Sequence, residues 1–194
     1  MFTFYPATLK RYESWTYFEE CFTPDECKKI LDFSKTVEPV VPVFPNEDGE
    51  EVINTAYKNS VIRTLQWGNE TDWMYHRLFE KISYVNDIIW QFELNGIFEG
   101  LDIIEYSTGG SMDWHADGLA ATTSTRKLSM SIQLSDPSEY EGGELELFVG
   151  HISNAPKKLG LITIFPSYIY HQVTEVTSGS RTTMVAHSHG RPYK

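Results

Sequence analysis

Apolar residues along the first half of the chain recur at helical spacing. Cys27, Ile30, Leu31 and Phe33 form one stripe, and Thr23-Pro24-Asp25-Glu26 stands just before it. Thr23 can cap, Pro24 suits the first helical position, and Glu26 completes a capping box. A second stripe, Met74, Leu78, Ile82 and Val85, predicts a helix opening at Asn69 or Thr71. Both helices read as scaffold for a sheet. Between them, Glu38–Glu51 holds three prolines and the turn Asn46-Glu47-Asp48-Gly49, which predicts a long exposed loop that serves either as a substrate lid or as a plain excursion.

Beyond residue 100 the period changes to two. Leu101–Ser107 is apolar and β-branched, and Arg126–Leu134 alternates Leu128, Met130, Ile132 and Leu134 with Lys127, Ser129, Ser131 and Gln133. Leu145 and Leu147 alternate with glutamates, and Gly160–Phe165, Ile169–Val176 and Arg181–His187 follow as strands between turn signals. Helices first and short strands after predict a mainly β, α+β chain built as a jelly roll with flanking helices. No repeat or linker interrupts it. The expectation is one domain over 1–194, with helical support mainly in 1–95 and the core jelly roll in 96–190.

The formal charge of -11 disfavours a nucleic-acid partner or an anionic membrane surface, since both are held by Lys and Arg. Two cysteines, Cys21 and Cys27, are too few for a disulfide scaffold or a four-ligand zinc site and read as reduced thiols. Met1–Pro6 has no basic start and no long apolar run, so no signal peptide is expected, and no stretch is apolar enough to span a bilayer. A soluble, cytoplasmic protein is expected.

The chemistry concentrates at Asp113-Trp114-His115-Ala116-Asp117-Gly118. Residues two apart on a strand share a face, so His115 and Asp117 can meet one metal ion, with His171 as a third ligand. Two His and one carboxylate on one face leave positions open, as in non-haem Fe(II) oxygenases. The same three residues could hold zinc in a hydrolase, which would give no role to Arg181. A non-catalytic jelly-roll module, or an interaction protein with incidental histidines, would need none of them. Arg181 lies ten residues after His171, across Ser178-Gly179-Ser180, and the two segments are expected to pair as a hairpin. Arg181 and Thr183 share a face, and a guanidinium beside a hydroxyl suits a carboxylate.

Through Leu101–Gly190 the chain resembles the Fe(II)/2-oxoglutarate dioxygenases of the prolyl 4-hydroxylase superfamily, closest to the PKHD-type hydroxylases. The resemblance rests on Glu105-Tyr106 with Gly109, His115-x-Asp117, Arg126–Ser129 through Gln133–Asp136, and Glu141-Gly142-Gly143-Glu144-Leu145. It continues through Phe165-Pro166-Ser167, His171–Val176 and Arg181. It implies a double-stranded β-helix with Fe(II) on His115, Asp117 and His171. It also implies 2-oxoglutarate anchored by Arg181 and Thr183, with Tyr106 and Gln133 beside it. Gln133 departs from the second Tyr common in those enzymes. The polar face Ser129, Ser131 and Gln133 would point into the barrel. Asp117 stands where related halogenases have a small residue, which favours hydroxylation. O2 would be the co-substrate, ascorbate the reductant, succinate and CO2 the co-products, and peptidyl proline the substrate, with a free amino acid or small molecule as the alternative. His187, where a Trp is usual, would touch substrate, orient a water or serve as a structural group. Trp114 is a further candidate substrate contact. His189 and His151 are expected at the surface and His76 on a helix without a partner. Length and lack of targeting signals would suit a bacterial or phage-encoded enzyme.

Overall fold

Strand alternation and helical stripes resolve into two main sheets and two α-helices in a computed structural model that describes residues 13–45 and 50–192. In chain order the elements are Thr16–Phe18 (β1), Pro24–Ser34 (α1), Lys58–Asn59 (β2), Val61–Leu65 (β3) and Asp72–Val85 (α2). Then come Leu101–Ser107 (β4), Ser111–His115 (β5), Arg126–Gln133 (β6) and Leu145–Phe148 (β7). Ile152–Asn154 (β8), Ile162–Pro166 (β9), His171–Val173 (β10) and Val176–Gly190 (β11) complete them. The larger sheet runs β1-β9-β6-β11-β4-β3 and the smaller β8-β7-β10-β5-β2. Short segments Tyr140–Gly142 and Leu94–Gly96 also pair with β11.

The two faces of β6 explain the layering. Leu128, Met130 and Ile132 are fully buried in one cluster with Ile30 of α1 and Met74, Leu78 and Ile82 of α2. Each such side chain contributes roughly 1.5–3 kcal/mol by leaving water. Ser129, Ser131 and Gln133 lie on the opposite face. A second apolar cluster lies between the sheets and includes Ile104, Tyr106, Met112, Leu147, Phe165 and Val173. The expected mainly β jelly roll with flanking helices is the observed fold.

The α1 capping box forms as expected: Glu26 N–H donates to Thr23 Oγ1 at 3.2 Å, and Thr23 N–H to Glu26 Oε2 at 2.8 Å. Glu26 also pairs with Arg77 of α2 at 3.0 Å, which ties the helices together. The second helix opens at Asp72. The Thr71 hydroxyl donates to the carbonyls of Gln66 and Gly68 and so does not cap. His76 lies 3.4 Å from Asp72 at the surface, a partner the sequence did not reveal. Cys21 and Cys27 are free and buried, and burial pushes their thiols up to about 12 and about 11. Among the described residues no helix is long and apolar enough to cross a membrane.

Within the expected loop Glu38–Glu51, Val40 bridges to Ile62 and Phe44–Pro45 pairs with Glu51–Val52. Its tip, Asn46–Gly49, lies outside the described residues, as does the Met1–Pro6 start. The hairpin between the His171 and Arg181 segments does not form. The strand β10 pairs with β5 and β7 in the smaller sheet, whereas β11 pairs with β4 and β6 in the larger one. The chain crosses between sheets at Thr174 and Glu175, and Ser178-Gly179-Ser180 lies inside β11. The Gly179 position needs glycine on two counts: φ is +76°, and any Cβ would meet the Glu139 carbonyl oxygen of the adjoining segment at 2.1 Å.

Candidate functional site

His115 ends β5, directly opposite His171 on β10. Opposed residues of an antiparallel pair share a face, so the two rings come together, with centroids 4.1 Å apart. Asp117, two residues past His115, turns back over them. Its Oδ1 lies 3.5 Å from His115 Nε2 and its Oδ2 3.6 Å from His171 Nε2. One ligand atom from each of the three falls within 4.8 Å of the others. Each ring is aligned by its other nitrogen: Nδ1 of His115 lies 2.8 Å from the Asp113 carbonyl and Nδ1 of His171 3.0 Å from that of Ile169. A carbonyl can only accept, so the proton sits on Nδ1 and the Nε2 lone pairs face the common space. Burial pushes the His171 imidazole down to about 4, which favours the neutral form that a metal requires. Burial opposes charge on Asp117 as well, but the imidazoles of His171 and His187 outweigh it and hold the carboxyl well below its usual range.

The β6 face that looked polar in the sequence lines this space. Ser129 Oγ donates to Asp117 Oδ2 at 2.6 Å and lies 2.9 Å from Ser167 Oγ. The Ser131 and Thr183 hydroxyls are 3.0 Å apart. The Gln133 amide donates to the Tyr140 hydroxyl at 2.9 Å.

Arg181 stands on β11 between these groups. It is 3% exposed, and its Nε and Nη1 have no hydrogen-bond partner among the described residues. A buried guanidinium with two idle N–H groups is costly unless an anion meets it. Ser131, Gln133, Leu145, Thr163 and Lys157 line the cavity with it. The Tyr106 ring lies 5.7 Å from the guanidinium, and burial pushes the Tyr106 hydroxyl up to about 12, so it stays protonated. Gly143, at φ +60°, makes room for the Arg181 stem, since a Cβ there would lie 2.9 Å from Cδ. Two imidazoles, a carboxylate and an unpartnered guanidinium suit Fe(II) with a chelating dicarboxylate.

The profile of the 2OG-Fe(II) oxygenase superfamily matches residues 101–189. The matched stretch contains every residue named so far in the site. Over that stretch the chain is similar to the 2OG-Fe(II) oxygenase superfamily.

The chain is also similar to PKHD-type hydroxylases. That of Prochlorococcus marinus is 39% identical over 87 residues, 44% of this chain and 39% of that one. That of Synechococcus sp. (strain CC9311) is 34% identical over 113 residues, 57% of this chain and 50% of that one. The chain thus spans half or less of the length of these relatives. Among solved structures, a Pseudomonas putida prolyl-4-hydroxylase superposes with TM-score 0.71 at 15% identity, covering 92% of this chain and 93% of that one. A prolyl hydroxylase from Trichoplax adhaerens, in complex with a peptide fragment of hypoxia inducible factor, gives 0.70 at 13% identity, covering 91% and 83%.

The candidate site brings together His115, Asp117, His171, Tyr106, Gln133, Arg181 and Thr183. Trp114 points away from it: alternation puts it on the other face of β5, in a T-shaped contact with exposed Phe148, their ring centroids 6.5 Å apart. His187 is buried on the inner wall as alternation predicts, with Nε2 3.3 Å from Asp117 Oδ2. His151 is exposed, as expected. His189 is not a surface group. It is 8% exposed, with Nδ1 3.0 Å from the Thr125 hydroxyl and Nε2 3.5 Å from Glu99, because β11 continues to Gly190 inside the sheet. Sequence reasoning missed Tyr140 and Glu99. Neither falls in a periodic run, and only the paired positions of Tyr140 with Gln133 and Glu99 with Arg126 reveal them.

Proposed function

We propose that the protein is an Fe(II)- and 2-oxoglutarate-dependent hydroxylase acting on peptidyl proline, with succinate and CO2 as co-products and ascorbate as reductant. The observation that carries the reading is the buried Arg181, with its idle Nε and Nη1, in the same barrel as the His115, Asp117 and His171 cluster. His115, Asp117 and His171 would hold the iron. When bound, iron and O2 supply the oxidising power for breaking a C–H bond. Arg181 would grip the far carboxylate of 2-oxoglutarate, with Thr183 and Ser131 beside it. Tyr106 and Tyr140 present apolar rings with protonated hydroxyls, so the pocket adds no competing negative charge. The apolar cluster of Leu145, Leu147 and Phe165 backs the barrel interior and keeps bulk water away.

Peptidyl proline is supported by the fold likeness to prolyl hydroxylases, one of them holding a peptide. The test is mass spectrometry of proline-containing peptides incubated with protein, Fe(II), 2-oxoglutarate and ascorbate in air. A gain of one oxygen on proline, absent without 2-oxoglutarate, is expected. Oxygen gained instead by a free amino acid would move the substrate to small molecules, and no oxidised product in either pool would contradict the hydroxylase reading.

A further inference from the structure

A chain of charged groups, partly exposed at Glu99 and Arg126 and buried at His187, reaches Asp117 from outside the ligand set. His187, 6% exposed, has Nε2 3.3 Å from Asp117 Oδ2 and Nδ1 3.2 Å from Glu99 Oε2. Nε2 is fully buried and has no well-aligned hydrogen bond among the described residues; the Asp117 carboxylate, at 3.3 Å, lies beside it as an acceptor. Glu99 is itself clamped. Arg126 donates to it twice, Nε to Oε1 at 3.0 Å and Nη2 to Oε2 at 2.6 Å, and His189 lies 3.5 Å from Oε1. The paired fork of Arg126 fixes the carboxylate plane, and the carboxylate in turn fixes the His187 ring.

The consequence falls on one oxygen. A carboxylate oxygen accepts through two lone pairs. The Ser129 hydroxyl, at 2.6 Å, takes one of those on Asp117 Oδ2, and His187 Nε2 lies 3.3 Å from the same oxygen. Among the described residues Oδ1 has no hydroxyl or amide donor, and it lies 3.5 Å from His115 Nε2. We propose that Glu99 and His187 are positioning residues which, with Ser129, occupy Oδ2 of Asp117 so that Oδ1 alone binds the metal. The inference rests on the metal reading above. A carboxylate held to one oxygen takes up a single coordination position and leaves the others to co-substrate and O2. It also gives His187 a role that neither a substrate contact nor a merely packed ring would have.

The test is binding of Mn(II) to the metal-free protein by calorimetry, with the visible spectrum of the Co(II) form as a report on coordination number. His187→Ala is expected to weaken Mn(II) binding by ~10–100-fold, the usual effect of removing a group that orients a metal ligand. His187→Gln, whose amide can still donate to Oδ2, is expected to recover part of the loss. Glu99→Gln is expected to weaken binding less than His187→Ala, and it carries the test alone should His187→Ala not fold. The Co(II) spectrum of His187→Ala should shift toward higher coordination as Oδ2 is released. Wild-type affinity and an unchanged Co(II) spectrum in both His187→Ala and Glu99→Gln would overturn the proposal while leaving the metal site intact. Absence of Mn(II) binding by the wild type, with Asp117→Ala no different, would overturn the metal reading itself and this inference with it.

Discussion

Arg181 is the residue on which ligand chemistry and fold energetics meet most sharply. Its guanidinium is buried with Nε and Nη1 unpartnered among the described residues, so an arriving carboxylate gains charge-assisted bonds there. Arg181→Met should weaken 2-oxoglutarate binding to the Mn(II)-loaded protein by ~100-fold, the equivalent of about 3 kcal/mol for a charged hydrogen-bond pair, as read by calorimetry. Arg181→Lys should recover part of this, since it restores charge but not the fork. Glu99 sets a pH dependence. Burial pushes its carboxyl up, but the bonds from His187 and Arg126 prevail and hold it down at about 2, below its ordinary 4.5. A depressed carboxyl stabilises the fold above the ordinary value and loses that contribution as pH falls toward the folded one. The stability gap between wild type and Glu99→Gln should therefore narrow between pH 4.5 and about 2, measured as urea midpoints. The sequence singled out the candidate ligands His115 and Asp117 by their spacing of two, with His115 ending β5 and Asp117 in the turn beyond it. It did not reveal what orients them. The acceptors for both Nδ1 atoms are backbone carbonyls, which leave no mark on residue identity, and Glu99 meets His187 only through sheet pairing.

At the scale of elements, the two helices buttress the wall that carries the polar face of β6. Leu78 is fully buried between α2 and that sheet, so Leu78→Ala should cost about 2–5 kcal/mol in urea unfolding. Thr23→Ala removes one half of the α1 capping box and should cost about 1 kcal/mol by the same measurement. These elements were legible because eleven and fourteen residues give a period room to show. Edge strands β1 and β2, three and two residues long, carry too few positions for one. The failed hairpin has a different cause. Ser178-Gly179-Ser180 has turn composition, yet its glycine serves a close approach to the Glu139 carbonyl within a strand. Composition marks a left-handed backbone but not whether the chain reverses there.

For the molecule as a whole, the arrangement is a wall with two chemistries. The outer face of the larger sheet is closed by helices through an apolar core, and its inner face holds Ser129, Ser131, Gln133, Arg181, Thr183 and His187 around a space shared with the smaller sheet's His171. Binary alternation in β6 and β11 encodes that division, which is why fold and site were readable together. The measurement that bears most directly on the account is succinate formed from 2-oxoglutarate in air, with and without Fe(II), by the wild type and by Asp117→Ala. Iron-dependent succinate from the wild type, lost in Asp117→Ala while the variant keeps its fold by circular dichroism, is the predicted result. Succinate formed equally by both proteins, or by neither under any metal condition, would contradict it.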